Sequence, residues 1–154
     1  MSIVGGCLCG DTRYEIAGSR VNAVNCYCSM CRKAHGTAFS THAVVNLSRL
    51  TWLCGETNLI RYESSPGGFR EYCKHCGSHL LVHGQSGDGA LAIPAGTLDG
   101  NPNVTIVSHI FTRECVSWHV IDDDIPKHEG WPEGYGPANE AGHLKKTIKG
   151  DDDD

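Results

Sequence analysis

Apolar and polar residues alternate over short stretches of this chain, and turn residues separate the stretches. Over residues 12–16, Tyr14 and Ile16 fall on one face and Arg13 and Glu15 on the other, the period of a half-buried strand. Runs rich in apolar and β-branched residues follow at 39–46, 50–54, 59–63, 69–73 and 79–83, then at 90–94, 104–111 and 116–121. The 19 glycines lie mostly between these runs, where a reversing chain uses them. Short strands at regular spacing predict a mainly β domain. Helical patterning is sparse. Residues 29–35 fit one or two turns with Ser29 as N-cap. Residues 137–149 could form another helix, against which Gly142 and a poor apolar stripe count. Residues 125–137, rich in proline and glycine, read as an irregular covering segment ordered by Trp131 and Tyr135. No internal repeat or interdomain linker interrupts the pattern.

Composition narrows the class. A chain of 154 residues is one domain's worth. The longest apolar runs, such as Ala43-Val44-Val45 and Leu80-Leu81-Val82, are far short of the roughly 20 residues of a membrane-spanning helix. The first residues carry neither a basic region nor a long apolar stretch, so no secretory signal is expected. The formal charge is −5, and the acidic run Asp151 to Asp154 supplies most of it, as a solvated terminus. The remainder has no basic excess with which to grip a phosphate backbone, which argues against nucleic-acid binding.

Nine cysteines change the picture. An odd number cannot be fully paired within one chain, and with no signal segment a reducing, cytoplasmic setting is expected. In such a setting clustered cysteines point to metal or catalysis. Three groups stand out: Cys7-Leu8-Cys9-Gly10, Cys26-Tyr27-Cys28-Ser29-Met30-Cys31 and Cys73-Lys74-His75-Cys76-Gly77. A C-x-x-C turn brings two thiolates onto one ion, and the glycine after it permits the positive φ that turns backbone N–H groups toward sulfur. In an extended C-x-C the two side chains leave the same face. Seven thiolates divide most simply into four and three. Cys7, Cys9, Cys73 and Cys76 would form a closed, structural zinc site. Cys26, Cys28 and Cys31 would form a second zinc site with an open fourth position, as a catalytic metal requires. Arg32 and Lys33 follow the triplet and could offset its net negative charge. His35 or Cys54 could instead close the second site, and Cys28 with Cys31 could act as a redox dithiol.

The order C-x-C, C-x-C-x-x-C-R-K, C-x-x-C-G resembles the glutathione-dependent formaldehyde-activating family, which includes centromere protein V-like proteins. Gly36-Thr37-Ala38-Phe39, Phe69-Arg70-Glu71-Tyr72-Cys73, Ala95-Gly96-Thr97-Leu98-Asp99, Ser108-His109-Ile110-Phe111, Ser117-Trp118-His119-Val120 and Ile125-Pro126-Lys127 extend the resemblance over roughly residues 3–133. The resemblance implies a β-tent of small coiled antiparallel sheets around a structural zinc. It implies two zinc ions per chain on the two cysteine sets given above, with Cys26, Cys28 and Cys31 as the catalytic group. It also implies a carbon–sulfur lyase-type activity that joins glutathione and formaldehyde into S-hydroxymethylglutathione. Residues 1–136 would then be the zinc-binding domain and 137–154 a polar tail. A zinc-stabilised binding module without turnover is the alternative, and a closed second site would favour it. Arg32, Lys33, Arg61, Arg70 and Arg113 are candidates for the carboxylates of glutathione. Cys54 and Cys115 fall outside the metal pattern. His35 and His42, which flank the triplet, stand ahead of the other histidines as candidate site residues.

Overall fold

The computed structural model describes residues 1–84 and 89–133. The chain is mainly β, in two sheets. In chain order the strands are β1 (Ser2–Gly6), β2 (Arg13–Ala17), β3 (Arg20–Cys26), β4 (Ser40–Asn46), β5 (Leu50–Cys54), β6 (Leu59–Ser65), β7 (Gly68–Cys73), β8 (His79–Gly84), β9 (Ala90–Pro94) and β10 (Asn103–Ile110), with helix α1 (Ser29–His35) between β3 and β4. A three-stranded sheet runs β1-β2-β5, and a seven-stranded sheet runs β10-β3-β4-β9-β8-β7-β6. The expected antiparallel arrangement holds except between β10 and β3, which pair in parallel.

Eight of the expected strand regions form. Two strands lack a sequence signal for a physical reason. β3 lies between β4 and β10 and is buried on both faces over most of its length, so it does not alternate. Its polar Asn25 is accommodated by a hydrogen bond from Thr41 Oγ1, 2.7 Å. β1 contains Gly5 and Gly6, which read as turn residues. At Gly5 a Cβ would come within 2.5 Å of the Tyr14 hydroxyl and 2.6 Å of the Thr97 carbonyl, so close approach across the hairpin demands glycine there. Conversely, residues 116–121 do not form the expected strand. Trp118 and Val120 are exposed, and the segment turns so that the His119 ring packs on Phe39 and Tyr27.

Alternation along β4 divides the interior. Ala43 and Val45 enter a core built with Ile3, Tyr14, Ile16, Leu80 and Ile93, and Cys7 and Cys73 belong to that cluster. Val44 points the other way, into a smaller cluster with Val24, Ile110 and the three cysteines Cys26, Cys28 and Cys31. Each cysteine group is therefore seated in its own apolar cluster, on opposite faces of the large sheet. Residues 126–130 run along the outer side of β10. His109 N–H donates to the Pro126 carbonyl (2.8 Å), His128 N–H to the His109 carbonyl (2.9 Å) and Phe111 N–H to the Gly130 carbonyl (3.2 Å). Trp131 closes edge-on against Phe111, the covering role expected of it. The edge of β10 is thereby protected. Tyr135 and the helix expected at 137–149 lie outside the described residues.

Candidate functional site

The four-cysteine group is assembled from two turns. Cys7 and Cys9 occupy the turn after β1, pinned by Cys7 N–H to the Thr12 carbonyl (3.0 Å). Cys73 ends β7, and Cys76 lies in the turn to β8, where Gly77 takes the expected positive φ of 75° and its N–H bonds the Cys73 carbonyl. The four Sγ atoms lie within 4.8 Å of one another, with Cys7 to Cys9 at 3.5 Å and Cys9 to Cys73 at 3.9 Å. A zinc–sulfur bond of about 2.3 Å gives a tetrahedron with edges of about 3.8 Å, so these separations suit one ion. Hydrogen bonds favour thiolate at Cys7 and Cys76. Thr12 N–H donates to Cys7 Sγ at 3.3 Å, and hydrogen bonds from the Ser78 hydroxyl and backbone bring the Cys76 thiol down to about 5.

The second group is built at the junction of β3 and α1. Cys26 is the last residue of β3, Cys28 caps α1 and Cys31 sits in its first turn, all three buried and within 4.8 Å of one another. The N-cap is Cys28 rather than the expected Ser29. Cys28 Sγ accepts the Cys31 N–H at 3.3 Å, which leaves the Ser29 N–H to donate to Glu114 Oε2 at 2.8 Å. Tyr27, between the first two cysteines, is fully buried; its hydroxyl meets His109 Nδ1 at 3.1 Å, and His109 Nε2 meets Asp123 at 2.9 Å. Asp123 thus helps to hold this loop through His109. The loop is braced by the 109–123 segment independently of any ion.

Hydrogen bonds from Cys26 and Cys28 hold the Cys31 thiol far below its ordinary range, with His42 adding to the effect, while the same sharing and burial push Cys26 far above it. The cation facing Cys31 is not Arg32 or Lys33. Arg32 Nε donates to the Tyr27 carbonyl (3.2 Å), and Lys33 is exposed. Arg70, from β7, is 4% exposed and donates from Nη2 to Cys31 Sγ at 3.5 Å. His42 Nε2 lies 3.7 Å from the same sulfur and 2.6 Å from Ser40 Oγ. Among the described residues, the set of ligand atoms here that all lie within 4.8 Å of one another is that of the three cysteines; His42 Nε2 approaches Cys31 Sγ without joining it. His35 packs on His42 and His79 instead, and Cys54 lies beside Asp11, its Sγ 3.8 Å from the Asp11 carbonyl. Three soft, buried sulfurs around one point fit a zinc ion that keeps a free position.

Residues 2–114 match the family described as glutathione-dependent formaldehyde-activating enzyme. The chain belongs to this family. A crystal structure of a Rhodobacter sphaeroides protein is similar, at 25% identity and a TM-score of 0.53, over 67% of this chain and 98% of that one. Both cysteine groups of this formaldehyde-activating family member fall within the matched residues.

Other candidates separate cleanly. Arg61 is paired with Glu71 at 2.7 Å, and Arg113 is exposed on a turn. Cys115 is half-buried, with Sγ 3.7 Å from the Val116 and His119 carbonyls. Cys9, Asp11 and His75 form a third cluster, but it is exposed and borrows Cys9 from the four-cysteine group. None of the nine cysteines is in a disulfide. Among the described residues no helix is long and apolar enough to cross a membrane. Sequence reasoning missed the particular role of Arg70, which it held only as one of five cations. Its position before the Glu71-Tyr72-Cys73 stretch carries no hint that β7 delivers it to a cysteine 39 residues earlier.

Proposed function

We propose that this chain is a zinc-dependent carbon–sulfur lyase-type enzyme that joins a small thiol, glutathione first among them, to formaldehyde to give the S-hydroxymethyl thiol. Cys7, Cys9, Cys73 and Cys76 hold a structural zinc; Cys26, Cys28 and Cys31 hold the catalytic one. The observation that carries the reading is the buried three-sulfur group: among the described residues no fourth His, Cys, Asp or Glu ligand atom lies within 4.8 Å of all three sulfurs. Zinc bound there would stabilise a thiolate at neutral pH and polarise a carbonyl oxygen. The chain's own residues do the rest. Tyr27, His109 and Glu114 hold the loop so that the three sulfurs keep one geometry. Arg70 offsets charge at Cys31, and the apolar neighbours Val24, Val44 and Ile110 keep the local dielectric low. Nine free cysteines suit a reducing compartment, and we assign the protein to the cytoplasm.

Calorimetry on the zinc-loaded protein tests the reading. Glutathione binding as thiolate releases about one proton at pH 7, because a free thiol with a pKa near 8.5 is mostly protonated there. Two buffers of different ionisation enthalpy count the proton. S-methylglutathione, which forms no thiolate, binds far more weakly. Equal affinity for the two with no proton release would refute the reading and leave a zinc-stabilised binding module.

A further inference from the structure

Among the described residues, five buried side-chain nitrogens have no hydrogen-bond partner in the protein, and four of them belong to one cluster beside Cys31: Arg70 Nη1, His42 Nδ1, His35 Nε2 and His79 Nδ1. Each orphaned buried donor or acceptor costs free energy, and native proteins do not gather them without a use. The cluster is compact. The rings of His35 and His42 are 5.4 Å apart and those of His35 and His79 are 4.8 Å apart. His35 and His79 both feel the charges of Arg70, His42 and Cys31. Arg70 and His42 are 4% and 3% exposed.

The remaining contacts of Arg70 fix its aim. Nε donates to Ser64 Oγ at 3.1 Å and Nη2 to Cys31 Sγ at 3.5 Å, which leaves Nη1 as the nitrogen of this buried guanidinium with no partner in the protein. His42 is anchored in the same way at Nε2 by Ser40, which leaves Nδ1 free. Among the described residues Arg70 is the buried lysine or arginine of the molecule, and its charge is permanent.

We propose that Arg70, with His42, His35 and His79 around it, forms a pocket for an anionic oxygen carried one or two bonds from the bound sulfur, and that in turnover this oxygen is that of the adduct. The proposal rests on the thiol–aldehyde reading above. In the step concerned, the thiolate sulfur's lone pair forms the new C–S bond to the formaldehyde carbon. The C=O π pair moves onto oxygen, and the resulting alkoxide takes a proton from water to become the hydroxymethyl group. No electron is gained or lost overall. Arg70 Nη1 donates to the oxygen as its charge develops, the arrangement that stabilises such a transition state most.

The test uses the zinc-loaded protein and two thiols. Mercaptoacetate carries a carboxylate beside its sulfur; ethanethiol carries none. Wild type is expected to bind mercaptoacetate about tenfold or more tightly than ethanethiol, as a hydrogen bond to a charged group provides. Arg70→Gln removes that margin, mercaptoacetate losing more affinity than ethanethiol, and Lys33→Gln, at an exposed neighbour, keeps it. In turnover Arg70→Gln lowers kcat by about 10²–10³-fold, a larger factor than its loss of glutathione affinity. Equal wild-type affinities for the two thiols overturn the pocket, and this comparison stands even if Arg70→Gln does not fold. A margin that survives Arg70→Gln also overturns it. A lost margin with unchanged kcat overturns the assignment to the adduct oxygen and gives the pocket to a substrate carboxylate. If neither thiol binds, the failure belongs to the thiol reading itself.

Discussion

Replacing Cys73 with serine should cost far more stability than replacing Cys28 with serine, although each change removes one zinc-ligating sulfur. Cys73 is fully buried at the end of β7, and its partner Cys9 lies 64 residues earlier in the chain. A cross-link that closes a loop of that length removes unfolded-state entropy worth about 4 kcal/mol at 25 °C. Against a typical total of about 5–15 kcal/mol this is a large share. At about 2–4 °C per kcal/mol for a chain of this size, the melting temperature should drop by about 10–15 °C. Cys28 closes only a short local loop. That loop is also held by Tyr27 N–H to the Ile110 carbonyl (3.1 Å), the Tyr27 hydroxyl to His109 and the Ser29 N–H to Glu114. Serine is itself a favoured N-cap and can accept the Cys31 N–H that Cys28 accepts now. The cost there should be about 1 kcal/mol, with activity lost. Thermal melts of both variants, each prepared in excess zinc, decide the matter. Equal shifts would refute the division into a fold-bearing site and a working site.

Elemental analysis should find two zinc ions per chain in protein prepared with zinc, falling toward one after mild chelation, because three protein ligands hold an ion less firmly than four. Gly55→Ala should destabilise the protein by about 1–3 kcal/mol in chemical denaturation, since Gly55 has a φ of 72° and a Cβ there would stand 1.9 Å from the Asp11 carbonyl oxygen, in the turn that carries Cys9. His35 is lowered from 6.5 to about 4 by burial and by the neighbouring His42 and His79. Above pH 6.5 it is neutral whether the chain is folded or not; between 6.5 and about 4 the unfolded chain takes the proton first, so stability falls; below about 4 the loss is complete. His35→Gln should flatten that part of the stability profile relative to wild type, and parallel profiles for the two proteins would refute the assignment.

Strand regions with alternation or a β-branched run announced themselves, and β2 and β4 to β10 stand close to where the pattern put them. The cysteine groups were legible for a related reason. C-x-C and C-x-x-C spacings are local, so the turns that converge their sulfurs are written in a few adjacent residues, as at Gly77. Signals failed where the neighbour that makes the structure is distant. β3 looks unpatterned because β4 and β10 bury both its faces, β1 because its glycines answer to Tyr14 and Thr97, and residues 116–121 look like a strand but have no partner to pair with.

The sequence by itself therefore determined the fold class, the two sets of cysteines and their four-to-three division. Tertiary structure alone decided what surrounds them. Folding put the two sets on opposite faces of one sheet, kept His35 and Cys54 out of the three-cysteine group, and brought Arg70 to Cys31 in place of the adjacent Arg32 and Lys33. The physical reason is the range over which each effect acts. Ligand spacing is fixed by a few backbone dihedrals between neighbours, whereas the charge that a buried thiolate meets depends on which strand the sheet order lays beside it, and no local pattern encodes that order.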